Sequence, residues 1–205
     1  RLTGGEPTVR RDFTEIVAAI AAQEEIRKVA VTTNGWNLEK CVQDWRDAGL
    51  THLNVSVDSL DRDVFQRITG HDRLPAVLRG VDLAMEAGFQ SVKVNAVLLR
   101  GSIEQELERW ADHVADRALS VRFIELMRTG DNADYFARNH IGGQVVRDWL
   151  AQHGWTPRIR EADAGPATEY VSPDHRGLIG LIAPYDAGFC DGCNRLRVTA
   201  RGKLR

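Results

Sequence analysis

Two cysteines separated by two residues, Cys190 and Cys193, bring their thiols close enough to share one metal centre, and the chain runs directly on into Asn194-Arg195-Leu196-Arg197. A single Cys-x-x-Cys fits half a zinc site, a redox dithiol or part of an iron–sulfur cluster, with zinc as the default. A thioredoxin-like dithiol belongs at the start of the first helix of a βαβ unit, whereas this pair comes late, after a loop. Arg195 and Arg197 share strand parity, so their guanidinium forks can project together toward a phosphate or a carbonyl edge. Two solvated arginines on an edge strand are the plainer alternative. Lys93 stands in an otherwise apolar segment, where a lysine must be desolvated, paired or aimed at an anion. Asp58 and Glu125 are the partners expected if it is paired. Thr3-Gly4-Gly5-Glu6-Pro7 and Thr32-Thr33-Asn34-Gly35 each fall where a strand hands over to a helix. Paired glycines there let a ligand approach the backbone, although Gly-Gly and Asn-Gly also mark ordinary turns.

Other reactive residue types attract plainer readings. Met127 fits a core filler, and only its place at a strand end suggests cofactor contact. Cys41 lies in an apolar helical stripe and reads as core. The histidines have no metal-binding spacing, and Asp131, Asp134 and His140 read as loop polarity. The chain has no Gly-x-Ser-x-Gly elbow, Walker loop, His-Glu metal helix or dinucleotide fingerprint, which weakens hydrolase and simple nucleotide-hydrolysis readings.

The elements that must position these residues alternate between strand-like and helix-like patterns as far as residue 128. Apolar stripes at helical spacing carry Phe13, Ile16, Val17, Ile20 and Ala21; Leu38, Cys41, Val42 and Trp45; Val77, Val81, Ala84 and Met85; and Ile103, Leu107, Trp110 and Val114. Asp47-Ala48-Gly49-Leu50 and Glu86-Ala87-Gly88-Phe89 both place glycine where a left-handed residue closes a helix. Strand ends near Thr3, Thr32, Ser56, Lys93 and Glu125 lie 24 to 37 residues apart. Parity inside the strands is more telling. Leu53, Val55 and Val57 oppose Asn54, Ser56 and Asp58; Val92, Val94 and Ala96 oppose Lys93 and Asn95; Val29 and Val31 oppose Thr32 and Asn34. A doubly wound sheet, covered on both faces, is apolar on both, so a polar face argues for helices on the outside only. The expected fold is an α/β partial (βα) barrel whose interior holds a polar ligand instead of packed aliphatics. Residues 1–127 form the barrel core. Residues 128–205, with a helix around Gln144 to His153 and short strands around Glu169 to Val171 and Leu178 to Ile182, form a C-terminal extension expected to pack across the barrel mouth or open side.

Composition narrows the class. The 205 residues carry 27 basic and 29 acidic side chains, a net charge of −2, so any anion site is local and no broad surface attracts nucleic acid or an anionic membrane. A chain of this length buries roughly 70% of its unfolded surface. Its apolar stretches fall short of the ~18 residues of a membrane span. The 3 cysteines are too few for a disulfide framework and suit a reducing, cytoplasmic setting.

Read together, Arg1-Leu2-Thr3-Gly4-Gly5-Glu6-Pro7, Thr32-Thr33-Asn34-Gly35, Asn54-Val55-Ser56-Val57-Asp58-Ser59-Leu60, Val92-Lys93-Val94-Asn95, Arg122-Phe123-Ile124-Glu125-Leu126-Met127 and Phe189-Cys190-Asp191-Gly192-Cys193-Asn194-Arg195-Leu196-Arg197 resemble the GTP 3′,8-cyclases. These radical S-adenosylmethionine (SAM) enzymes, also called molybdenum cofactor biosynthesis protein A, begin molybdenum cofactor biosynthesis. The glycine turn and the Ser-Val-Asp-Ser strand point only to the wider radical superfamily, and the Cys-x-x-Cys-Asn-Arg-Leu-Arg run narrows the likeness to the cyclases.

The resemblance implies an incomplete TIM-like barrel of the radical SAM type, with the first strand missing from this chain. It implies that Gly5, Ser56 and Met127 contact S-adenosylmethionine, and that Arg1, Thr32, Lys93, Arg195, Leu196 and Arg197 contact GTP. Cys190 and Cys193 become two of three ligands to a second [4Fe–4S] cluster, which replaces the zinc default. The implied chemistry is reductive cleavage of S-adenosylmethionine at a first [4Fe–4S] cluster, hydrogen removal from ribose C3′ by the 5′-deoxyadenosyl radical, and attack of C3′ on guanine C8. The product is (8S)-3′,8-cyclo-7,8-dihydroguanosine 5′-triphosphate. No side chain takes a catalytic role, because the cofactors carry the reaction and the protein orients and shields it. The implied partners are GTP, an electron donor and, through the product, cyclic pyranopterin monophosphate synthase, for a monomer or homodimer. The family's Cys-x-x-x-Cys-x-x-Cys motif is expected upstream of Arg1, and the third ligand of the second cluster and a Gly-Gly tail beyond Arg205. The 205 residues alone are therefore expected to be inactive and incompletely metallated. Competing readings are another radical SAM maturase with an auxiliary cluster and a non-catalytic zinc-binding module.

Overall fold

The computed structural model describes residues 1–101, 103–159, 165–187, 189–190 and 196–204. Strands β1 (Ala30–Thr33), β2 (His52–Ser56), β3 (Ser91–Leu98), β4 (Ser120–Glu125) and β7 (Leu178–Ile182) run parallel, and β6 (Thr168–Val171) and β5 (Thr156–Pro157) continue the sheet antiparallel, in the order β1-β2-β3-β4-β7-β6-β5. Leu2 adds one parallel bridge outside β1, donating to Ala30 O at 2.7 Å and accepting from Thr32 N at 3.0 Å. The helices are α1 (Phe13–Ala21), α2 (Leu38–Asp47), α3 (Arg62–Thr69), α4 (Leu74–Glu86), α5 (Ile103–Val114), α6 (Ala133–Asn139) and α7 (Gln144–Gln152), with one 3₁₀ turn at Pro7–Val9.

The predicted alternation is realised in β3, whose burial alternates residue by residue. Val92, Val94, Ala96 and Leu98 join Val31, Leu53, Val55, Val121, Phe123, Ile179 and Leu181 in one hydrophobic core with the apolar stripes of the helices. Leu107, Trp110 and Val114 of α5 are wholly buried there. The opposite face keeps the polar residues, as expected for a partial barrel with helices on one side. No helix among the described residues is long and apolar enough to cross a membrane.

Three outcomes stand beside these expectations. First, of the two places expected for the C-terminal residues, their described strands take the open side of the sheet: β7 pairs in parallel with β4, and β6 and β5 extend it. Without them β4 would present a row of unpaired N–H and C=O groups, which such an addition satisfies. Gly177 makes the junction possible, since a Cβ there would stand 2.5 Å from Leu119 O. Second, β3 runs on to Leu98, so Lys93 sits in its first half and not at its end. Third, α3 and α6 escaped prediction because their apolar stripes are too thin: α3 buries only Phe65, and α6 buries no residue. The Asp61 carboxylate nevertheless caps α3, accepting from Asp63 N and Val64 N, and Gly70 ends it at φ 76°.

Both Ala-Gly helix ends adopt the expected backbone, with φ of 100° at Gly49 and 74° at Gly88. Their surroundings differ. A Cβ on Gly49 would meet the Ala21 Cβ at 2.5 Å, whereas one on Gly88 meets nothing within 4 Å. Gly88→Ala is expected to cost about 1 kcal/mol from its backbone conformation alone. Gly49→Ala should cost 1–3 kcal/mol more, roughly the overpacking penalty, because α1 and α2 must move apart. Urea denaturation of the two variants measures the difference, and equal losses would contradict the contact.

Candidate functional site

The register brings the polar residues together. Thr32 pairs with Asn54 and Asn54 with Lys93, while Ser56 pairs with Asn95, Asn95 with Arg122 and Arg122 with Gly180. Parallel partners point to the same side, so these side chains share the face opposite the helices. Thr32, Ser56 and Lys93, three residues named from sequence, are half-buried on it.

Arg122 organises that face. It is 5% exposed, and its Nε donates to Asn95 Oδ1 at 3.0 Å while a terminal nitrogen donates to Asn54 Oδ1. The Asn54 amide in turn donates to Val31 O at 2.9 Å. Burial, then the neighbouring charge of Arg1, push the Arg122 guanidinium down to about 10, while Glu169 opposes that fall. It stays charged at neutral pH. Sequence reading missed Arg122 as a site residue. Its signal was parity, since it alternates with Val121 and Phe123.

Lys93 is ion-paired, but not with Asp58 or Glu125. Its Nζ lies 2.7 Å from Glu169 Oε1 on β6, with side chains 28% and 23% exposed. Asp58 instead accepts from Val97 N at 2.9 Å, and burial pushes its carboxyl above the usual range. Glu125 lies on the opposite face of β4, where Oε1 is 2.7 Å from His140 Nε2. His140 is accordingly more than loop polarity. It stacks on Phe136 at 4.4 Å between ring centroids and meets Tyr185 edge-on at 5.5 Å. Cys41 packs against the core, and burial pushes its thiol up.

Two turns flank the same strand ends and are tied by a residue the sequence reading left unassigned, Glu6. Its Oε1 accepts from Thr8 N at 3.1 Å, Thr8 Oγ1 at 2.7 Å and Thr33 Oγ1 at 2.8 Å, and its Oε2 accepts from Asn34 N at 2.6 Å. The Gly4-Gly5 turn and the Thr33-Asn34-Gly35 turn are thus one unit. A Cβ built on Gly4 or Gly5 meets nothing within 4 Å, so the backbone is open to close approach by a ligand. A cavity of about 350 Å³ adjoins the far ends of β2 and β3, lined by Asp58, Val97, Leu99, Arg100 and Tyr135 among others.

The remaining candidates are peripheral. Met127 is 56% exposed beyond β4, its carbonyl accepting from Asn132 Nδ2 at 2.9 Å. Arg1 is exposed at the chain start, within electrostatic reach of Arg122. Leu196 and Arg197 are exposed, and Cys190 is an exposed free thiol. Cys193 and Arg195 lie outside the described residues. Among the described residues no group of three or more His, Cys, Asp or Glu side chains could hold a metal ion.

Replacing Glu6 by Gln turns one of its two acceptor oxygens into a donor facing N–H or O–H groups. Glu6→Gln is expected to cost about 1–3 kcal/mol and to speed amide exchange at Thr8 or Asn34. Hydrogen exchange by NMR checks this, and unchanged protection at both amides would contradict the tie.

Comparison with known proteins agrees with this geometry. Residues 1–114 match the family profile "Radical SAM superfamily", and residues 119–205 match "Molybdenum Cofactor Synthesis C". GTP 3′,8-cyclases of Stenotrophomonas maltophilia strains R551-3 and K279a are each 58% identical over 205 residues, all of this chain and 63% of the relative. The chain thus spans under two thirds of the length of those curated relatives. Among solved structures, Streptococcus suis SuiB bound to S-adenosylmethionine superposes with a TM-score of 0.60 at 16% identity, covering 96% of this chain and 41% of that one. TYW1 with a lysine-pyruvate adduct superposes with a TM-score of 0.54 at 15% identity, covering 80% of this chain and 53% of that one. At such identities the structural likeness speaks for the fold. The radical SAM profile covers more than half of the residues, including β1, β2 and β3 of the polar face traced above, and on that basis this chain belongs to the radical SAM superfamily.

Proposed function

We propose that the full-length protein is a GTP 3′,8-cyclase, converting GTP to (8S)-3′,8-cyclo-7,8-dihydroguanosine 5′-triphosphate at the start of molybdenum cofactor biosynthesis. The observation that carries this reading is the 58% identity to GTP 3′,8-cyclases along the whole chain. The polar face supports it independently, because a triphosphate entering a protein of net charge −2 needs local cations, and Lys93 and Arg122 point to one side of the sheet.

In this reading Gly5, Ser56 and Met127 hold S-adenosylmethionine, Gly5 through its backbone. Arg1, Thr32, Lys93, Arg195, Leu196 and Arg197 hold GTP, with Arg122 added to that set from its place on the face. Cys190 and Cys193 ligate the second of two [4Fe–4S] clusters. Bound S-adenosylmethionine, cleaved reductively, supplies the 5′-deoxyadenosyl radical that takes hydrogen from ribose C3′. The chain's own residues bind and orient. Thr32 and Ser56 offer hydroxyls beside the strand ends, the cations hold the phosphates, and the apolar side of the sheet excludes water from behind. Residues 1–127 then form the barrel unit and 128–205 the extension bearing the second cluster. An electron donor, cyclic pyranopterin monophosphate synthase downstream, a cytoplasmic setting and a monomer or homodimer belong to the same proposal.

Calorimetry on the anaerobically reconstituted full-length protein tests the substrate. Lys93→Met and Arg197→Ala are each expected to weaken GTP binding about tenfold or more, the loss of one charge-assisted contact. Wild-type affinity in both variants would sink the assignment. Iron and sulfide analysis should return the content of two [4Fe–4S] clusters, and zinc without iron would overturn the metal reading.

A further inference from the structure

The ion pair on the polar face leads beyond substrate assignment. Glu169 reaches that face from β6 because it pairs with Gly180, which in turn pairs with Arg122. Its partner Lys93 lies two strands beyond β7, so roughly three strand spacings, ~14 Å along the sheet, separate their backbones. On the diagonal between them on this face stand Ser120 and Gly180, the partners of Lys93 and Glu169 in the sheet, flanked by Leu178 and by Arg122, whose stem lies over Gly180. The two long side chains meet across these strands at 2.7 Å. The pair retains access to solvent, with side chains 28% and 23% exposed. Glu169 also stands close enough to Arg122 to favour its charged form, against the opposing effect of Arg1.

We infer that Glu169 is the resident counter-ion of this cation cluster, occupying Lys93 until an anionic ligand replaces it, and so setting the affinity and release of that ligand. The inference rests on the proposed anion site and names a residue that governs it. Glu169 faces two cations at once, Lys93 as its ion-pair partner and Arg122, whose charged form it favours. A phosphate arriving at Lys93 competes with that carboxylate for the same ammonium donors and is repelled by its charge. Glu169 therefore weakens binding in absolute terms while keeping Lys93 extended over the face.

The test compares wild type, Glu169→Gln and Glu169→Asp in the full-length protein by calorimetry, with GTP and inorganic tripolyphosphate as probes. Removing the competing charge in Glu169→Gln is expected to tighten binding of both anions about tenfold, and the charge-retaining Glu169→Asp should stay within about threefold of wild type. A purely structural role would make both variants bind more weakly. In wild type, the NMR signal of the Lys93 ammonium should shift toward its Glu169→Gln position when either anion is added, a readout that does not depend on the variants' stability. Equal or weaker binding by Glu169→Gln, or a Lys93 signal unmoved by a bound anion, overturns the inference and leaves GTP binding intact. Tripolyphosphate binding tightened in Glu169→Gln without GTP binding by wild type defeats the guanosine reading and keeps the counter-ion. Failure of wild type to bind either anion overturns both.

Discussion

A guanidinium buried on one face of a parallel sheet is the constraint on which this structure rests. Arg122 is 5% exposed and cannot be covered by an apolar helix without a large desolvation cost. Asn95 and Asn54 supply its acceptors, and Asn54 uses its own amide to reach Val31 O on the next strand. Hydrogen bonds thereby tie Arg122 on β4 directly to β3 and β2 and, through Asn54, to the backbone of β1. A face built this way excludes the packed aliphatic interior of an ordinary barrel, and all apolar burial is driven to the other side, where the helices pack.

The C-terminal residues complete that arrangement. Their strands satisfy the free edge of β4 and deliver Glu169 to the polar face, while α7 buries Val146, Trp149 and Leu150 in the common core. The same region secures the segment after β4. Tyr185 accepts from Arg128 N at 2.7 Å, Asn132 holds the Met127 carbonyl, and the Glu125–His140 contact anchors the chain as it leaves the strand. Glu6 performs the equivalent service on the other flank, joining the turns after Leu2 and β1. Thr32, Ser56 and Lys93 thus stand on paired strands, and the Gly4-Gly5 turn is fastened to the turn after β1, so this part of the polar face is held in place before any ligand arrives.

Much of this was legible in the chain because it follows from short periods. Alternation in Leu53 to Asp58 and Val92 to Ala96 disclosed a polar face, and the stripes of α1, α2, α4 and α5 disclosed what covers the other. Gly49 and Gly88 disclosed where helices end. Elements with little to bury left little trace: α6 buries nothing, and β5 is two exposed residues.

What the sequence determined by itself is the set of local periods, the positions of the glycine turns and cysteine pair, and the family those motifs mark. What the tertiary structure decided is which polar groups are partners. Lys93 was expected against Asp58 or Glu125, yet it meets Glu169, 76 residues away. Glu125 sits one residue out of phase with the polar face and meets His140 instead. Parity assigns a side chain to a face, but its partner depends on strand order, and that order is settled by long-range pairing that no local pattern encodes.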